Sequence, residues 1–171
     1  MFDRRLHLPL IAIIFLSLGL APPAPAQQVL VQNGATVEVS NGSIFDLQGG
    51  EMDLGEASAT ARLEETTAGR VTGGTLTATR ALSSPSGADP AGLGAVLDAS
   101  EDLGEVTVRG HTAQTANGNT SIERYYDISP SQNNGSLSAK LTVTYNDDEL
   151  NPLSGSESDL ELFKSSDGGS T

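Results

Sequence analysis

The strongest constraint on this chain is its punctuation. Asn33-Gly34, Asn41-Gly42 and Gly49-Gly50 recur at intervals of eight residues. Asn-Gly and Gly-Gly pairs adopt positive φ at little cost and therefore mark tight turns between β-strands. The intervening runs, Thr36–Val39, Ser43–Leu47 and Glu51–Leu54, are short and β-prone, and Gly73-Gly74 introduces another alternating run, Thr75–Arg80. Such a beat has two physical readings. Each turn either reverses the chain, giving an antiparallel meander, or forms a corner, so that about three beats complete a solenoid coil of roughly 20–25 residues. The small, stackable Thr, Val, Ser, Ala and Leu side chains lean toward the solenoid, with the meander left open. Residues 57–67 contain Ala-Thr-Ala-Arg-Leu-Glu-Glu, a candidate helical turn that sits awkwardly among so many β neighbours.

A break follows. Residues 83–90, Ser-Ser-Pro-Ser-Gly-Ala-Asp-Pro, hold too much Pro and small polar residue to sustain a strand or helix and read as a linker. Beyond it, Leu103–Val108, Ser121–Ile128 and Leu137–Tyr145 are expected strands, with a polar loop at Gly110–Asn119 and a last short strand at Leu160–Phe163. Leu137, Ala139, Leu141, Val143 and Tyr145 alternate with Ser138, Lys140, Thr142 and Thr144, as one buried and one wet face of an antiparallel sandwich require. The expected fold is all-β: a β-solenoid-like or meander segment over 27–82, then an incomplete antiparallel β-sandwich over 91–171.

The first twenty-six residues read as a leader. Arg4-Arg5 precede an apolar stretch from Leu8 to Leu20 that is shorter than the about 20 residues a membrane span takes. Ala24-Pro25-Ala26 then supplies the small residues of a cleavage site. This is the pattern of a cleavable signal peptide, which places the mature N-terminus at Gln27 and the product in a secreted or cell-surface location. No later segment approaches transmembrane length.

Composition removes several functions. The formal charge is −13, and only Arg4 and Arg5 adjoin each other among the basic residues, so no basic patch exists to hold a nucleic-acid backbone. There is no Cys, which excludes disulfide staples, thiolate metal sites, a thiol nucleophile and a lipoprotein anchor.

Gly73–Arg80, Gly110-His111-Thr112, Ser121–Pro130 and Leu141–Asn151 together resemble a module of large surface proteins exported by the type IX secretion route. The resemblance implies a β-rich spacer or display domain whose C-terminal sorting domain lies elsewhere. Ser165–Thr171, Ser-Ser-Asp-Gly-Gly-Ser-Thr, is similar to the Asp-box hairpin of sialidase and glycosidase propellers. That likeness gives Asp167 and Gly169 structural roles, with the Asp carboxylate capping turn amides. It also implies a following aromatic residue, so the chain reads as the N-terminal fragment of a longer protein.

Chemistry-bearing residues are few. His7 leaves with the leader and His111 is the only other histidine; no Gly-x-Ser-x-Gly elbow accompanies it, so a structural or solvated role fits it better than catalysis. Some pair of the many carboxylates will meet glycosidase spacing by chance, and that argument selects nothing. Tyr125 is the candidate exposed platform for a sugar, since alternation sends Tyr126 and Tyr145 to packed faces. Asp147, Asp148 and Glu149 are the densest oxygen cluster and candidate calcium ligands, although their spacing departs from an EF-hand and suits a solvated turn better. Asp98, Glu101 and Asp102 form a weaker version. Arg124 lies on the apolar side of its strand and must be paired; a carboxylate from Asp147–Glu149 is the expected partner.

The expected function is therefore a non-catalytic extracellular structural, display or adhesion module, with no cofactor and with glycans or other surface proteins as partners. The alternative is a carbohydrate-binding accessory module of a polysaccharide-degrading enzyme.

Overall fold

The computed structural model describes residues 27–112, 115–116, 119–135, 138–150, 157–162 and 164. The first seven strands are β1 (Gln28–Leu30), β2 (Thr36–Val39), β3 (Ile44–Asp46), β4 (Glu51–Asp53), β5 (Arg62–Glu65), β6 (Arg70–Thr72) and β7 (Thr75–Ser83). Their ladders among themselves are all parallel: β1 with β4, β4 with β7, β2 with β5, and β3 with β6. Register partners stand 23 to 26 positions apart, as Gln28 with Glu51 and Thr36 with Arg62. A meander would pair these strands antiparallel, so the turns are corners and the segment is a solenoid of three strands per coil.

The corners explain the punctuation. Asn41 and Gly42 both carry positive φ, 56° and 71°, and turn the chain from β2 into β3. One coil on, Thr67 and Ala68 adopt the same sign of φ, and the Gly42 amide donates to the Thr67 carbonyl at 2.9 Å. Asn33 couples another corner to the coil beneath, its Oδ1 accepting from the Thr60 amide at 2.8 Å.

Past β7 the chain becomes antiparallel. The remaining strands are β8 (Ala95–Ala99), β9 (Asp102–His111), β10 (Thr115–Ala116), β11 (Asn119–Thr120), β12 (Tyr125–Pro130) and β13 (Ala139–Val143). β9 pairs antiparallel with β7 and with β12, extending one solenoid face into a five-stranded sheet of order β1-β4-β7-β9-β12. β8 and β13 form a separate antiparallel pair. β7 and β9, on either side of residues 83–90, form the longest ladder, and Ala88 makes an isolated bridge to Leu97.

One apolar cluster runs through both parts. Val39, Leu47, Met52, Leu54, Leu63 and Val71 of the coils join Leu93, Leu97, Leu103, Val106 and Val108 of the later chain. Each such side chain contributes about 1.5–3 kcal/mol on burial, so the later strands stabilise the coils directly. Arg80, on the inward side of β7, draws together a fringe of carbonyls: Nη1 donates to Gly55 O and Nη2 to Leu54 O, both at 3.1 Å, and Nη2 also to Ala61 O.

Several boundaries differ from the sequence reading. Arg62–Glu65 is a strand, not a helical turn, because Leu63 finds a core position beside Val37. The strand expected from Ser121 begins at Tyr125, and the polar loop after Gly110 contains the β10–β11 hairpin. Leu160–Leu162 are not in a strand; they follow a 3-10 turn at Glu157–Asp159, where Leu162 is 74% exposed and has no face to bury. Residues 1–26, Leu137, Phe163, Asp167 and Gly169 lie outside the described residues.

Candidate functional site

Two constellations emerge from this topology, one buried and one on the surface. The buried one forms where the antiparallel strands meet the second coil. β5 ends at Glu65, in register with Val39, which is buried at the equivalent position of the first coil. A carboxylate at an inward position must be bonded. Glu65 Oε1 accepts from the Val71 amide at 2.7 Å, and Oε2 accepts from Arg124 Nη2 at 2.9 Å.

Arg124 immediately precedes β12, and its side chain is 7% exposed. Its Nε donates to Glu149 Oε2 at 2.9 Å, and Nη2 also donates to Glu149 Oε1. Glu149 reaches inward because the 3-10 turn Asp147–Leu150 rotates it away from solvent; its side chain is 2% exposed. Tyr126 closes the group, its hydroxyl donating to the Leu93 carbonyl at 2.5 Å. Gly94, at φ 81°, allows this approach: a Cβ there would lie 3.0 Å from Arg124 Nη1, Tyr126 Oη and the Thr144 carbonyl.

The electrostatics follow from two carboxylates sharing one guanidinium in a dry site. Burial raises the Glu149 carboxyl above its ordinary range; attraction to Arg124 opposes this, and repulsion from Glu65 adds to it. Burial alone would lower Arg124, but the phenol oxygen of Tyr126 and the carboxylates of Glu65 and Glu149 outweigh it and keep the guanidinium firmly protonated. Burial pushes the Tyr126 phenol up to about 12, with Arg124 pulling the other way. Such a closed group cannot receive a substrate. Its chemistry is that of a clamp joining β5, β12 and the 147–150 turn.

The calcium candidates are thereby separated. Glu149 is committed to Arg124, Asp148 Oδ2 accepts from Arg70 Nη1 at 3.0 Å, and Asp147 is exposed. They do not converge on a point, and among the described residues no group of three His, Asp or Glu side chains could hold a metal ion. In the weaker cluster, Asp98 and Asp102 accept from the amides of Gly87 and Gly104, at 2.7 and 2.9 Å.

The surface constellation is the outer face of the five-stranded sheet. Val29, Met52, Leu76, Gly110 and Tyr126 share one cross-strand row on the inner side. Strand alternation puts the flanking rows outside. One comprises Gln28, Glu51, Thr75 and Tyr125; the other comprises Leu30, Asp53, Thr77, Arg109 and Asp127. Gln28, Glu51, Thr75 and Arg109, with Gly49 and Gly50, border an open depression of about 390 Å³. Tyr125 is half-buried at the far edge of its row. Sequence reasoning paired Arg124 with the 147–149 carboxylates, but it expected Tyr125 exposed where the structure has it half-buried, missed Glu65, whose segment looked helical, and missed the polar row, which exists only once the register is known.

No known family, no curated protein and no solved structure matches the chain. Among the described residues, no helix is long and apolar enough to cross a membrane.

Proposed function

We propose that this chain is a non-catalytic structural and display module of an extracellular surface protein, exported through a leader at residues 1–26. The observation that carries the reading is the continuous ladder from β1 through β4, β7 and β9 to β12. It joins stacked coils to an antiparallel sheet over one core, a construction that holds its two ends at a fixed separation. The resemblance of residues 73–171 to spacer modules of type IX-exported proteins points the same way, as does the cleavage pattern at Ala24–Ala26. The test is location. On intact producing cells the chain should begin at Gln27 and be degraded by added protease; an N-terminus at Met1 with cytoplasmic retention overturns the reading.

A second reading draws on the polar outer rows. Gln28, Glu51, Thr75 and Arg109, with Tyr125 at the far end of the row beyond β9, offer the flat mixture of hydrogen-bonding groups and an aromatic edge that suits an oligosaccharide. Binding on a glycan array that disappears in Tyr125→Ala would favour a carbohydrate-binding module. A panel without binding leaves the structural role alone.

A further inference from the structure

Four Asn-Gly pairs punctuate the chain, at 33–34, 41–42, 117–118 and 134–135, of which 117–118 lies outside the described residues. The pair suits tight turns because both residues tolerate positive φ. It carries a chemical weakness for a related reason. Gly has no Cβ to shield its amide nitrogen, which can reach the carboxamide carbon of the preceding Asn. Asn41-Gly42-Ser43 and Asn134-Gly135-Ser136 are the same triplet, so a difference in reactivity between them comes from the fold.

In the coils, stacking holds one reacting group of each pair. The Gly42 amide donates to the Thr67 carbonyl at 2.9 Å, and this N–H must be given up before its nitrogen can attack. The bond runs between stacked coils, so breaking it opens the corner. Asn33 is held by its carboxamide instead. Its Oδ1 accepts from the Thr60 amide at 2.8 Å and from Thr60 Oγ1 at 3.2 Å. The side chain must leave the coil beneath before it can fold back on its own backbone.

After β12 the arrangement is reversed. Residues 131–133 are fastened to the start of β9: the Ser131 amide donates to Glu105 O at 2.9 Å, the Gln132 amide to Leu103 O at 3.2 Å, and Asn133 Nδ2 to Asp102 O at 2.7 Å. The fastening stops there. Asn134 and Gly135 are exposed, and among the described residues neither the Asn134 carboxamide nor the Gly135 amide makes a hydrogen bond. A Cβ on Gly135 would meet nothing within 4 Å, so the space that ring closure needs is open.

We propose that Asn134-Gly135 is a self-modification site, at which the Gly135 amide nitrogen attacks Asn134 Cγ, while stacking protects the Asn-Gly corners of the coils. The new C–N bond closes a succinimide ring, and the carboxamide nitrogen leaves as ammonia with the proton from the Gly135 amide. Water then adds to either imide carbonyl, and the C–N bond at that carbonyl breaks. The product is aspartate, or isoaspartate whose backbone runs through the side chain. Each adds a carboxylate to the link between β12 and β13, and isoaspartate also lengthens that link by one carbon.

The test keeps the full chain folded in mildly alkaline buffer, digests it with trypsin, and reads each Asn by peptide mass and fragmentation. Trypsin cuts after Arg62, Arg124 and Lys140, so Asn134 is read on a different peptide from Asn33 and Asn41. Asn134 should convert first, its peptide splitting into two isomers of equal mass while Asn33 and Asn41 stay intact. In urea, where the coils unstack, Asn41 should convert as fast as Asn134. Gly135 has no left-handed φ, so Gly135→Ala is accommodated; it should lose most of the conversion with circular dichroism unchanged. An Asn134 that stays intact in the folded chain overturns the proposal, and so does conversion of Asn33 or Asn41 at the same rate. A contrast between Asn41 and Asn134 that persists in urea also overturns it, since the fold is then not the cause. Gly135→Ala converting at the native rate would overturn the attack by the Gly135 nitrogen.

Discussion

Arg124 and Glu149 lie 25 positions apart and meet inside the junction through two N–H···O contacts, with Glu65 holding the same guanidinium from the solenoid side. One cation thus ties three separate pieces of chain: the end of β5, the start of β12 and the 147–150 turn.

Removing the cation should cost far more than removing one anion. Arg124→Leu leaves Glu65 and Glu149 buried against each other without compensation, a loss of about 3–5 kcal/mol. Glu149→Gln keeps the Arg124–Glu65 pair and an amide oxygen for the guanidinium, and should cost roughly 1–2 kcal/mol. Urea denaturation of both variants checks the order. Equal losses, or a gain in Arg124→Leu, would show that the pair does not hold the junction.

The same cluster sets a pH dependence with a definite sign. Burial raises the Glu149 carboxyl in the folded chain, so the native state keeps its proton to higher pH than the unfolded state, whose glutamates titrate near about 4.3. Between those two values the native state binds more protons, and its stability falls as pH rises. Net negative charge elsewhere acts in the same direction, so the informative quantity is the difference in Tm between the native sequence and Glu149→Gln. That advantage should shrink with rising pH across the window and be flat above it. A difference that grows with pH would mean that attraction to Arg124 outweighs burial.

Gly94 and Gly42 separate strain from crowding. Both have positive φ, 81° and 71°, so Ala at either costs on the order of 1 kcal/mol in backbone strain. At Gly42 nothing lies within 4 Å of the added Cβ, and the loss should stop there. At Gly94 the methyl would press on Arg124, Tyr126 and the Thr144 carbonyl, all at 3.0 Å, and the loss should be at least twice as large. Thermal denaturation of the two variants makes the comparison, and equal shifts would remove Gly94 from the clamp.

Legibility in the sequence followed the range of the interaction. The corners at Asn41-Gly42 and Gly49-Gly50 are local, and so was the beat they set. Parallel pairing is not local: whether Glu51 turns back beside Asp46 or stacks on Gln28 depends on contacts that no eight-residue window contains. Thr67 and Ala68 form a corner with neither Gly nor Asn, because the coil above fixes their path through the Gly42–Thr67 bond. Arg124's need for a carboxylate was legible because a cation on an apolar face admits few solutions. Glu65 was not, since beside Glu64 it looks like any solvated charge until Leu63 is seen to point inward. Asp147 and Asp148 misled for the converse reason: an acidic run in sequence became, through one 3-10 turn, three side chains with different surroundings.

The shared core predicts how the chain comes apart. Leu63 and Val71 of the coils and Leu93, Val106 and Val108 of the later strands belong to one cluster, and the β7–β9 ladder spans residues 83–90. Neither side can lose its structure without exposing apolar surface on the other, so coils and antiparallel strands should unfold in one transition. Calorimetry should give a single peak whose van't Hoff and calorimetric enthalpies agree. Val106→Ala, placed in β9, should lower that one Tm and weaken hydrogen-exchange protection in β4 and β5 as much as in β9, at a cost of about 2–3 kcal/mol. Two separate peaks, or protection lost in β9 alone, would show the solenoid standing without the sheet.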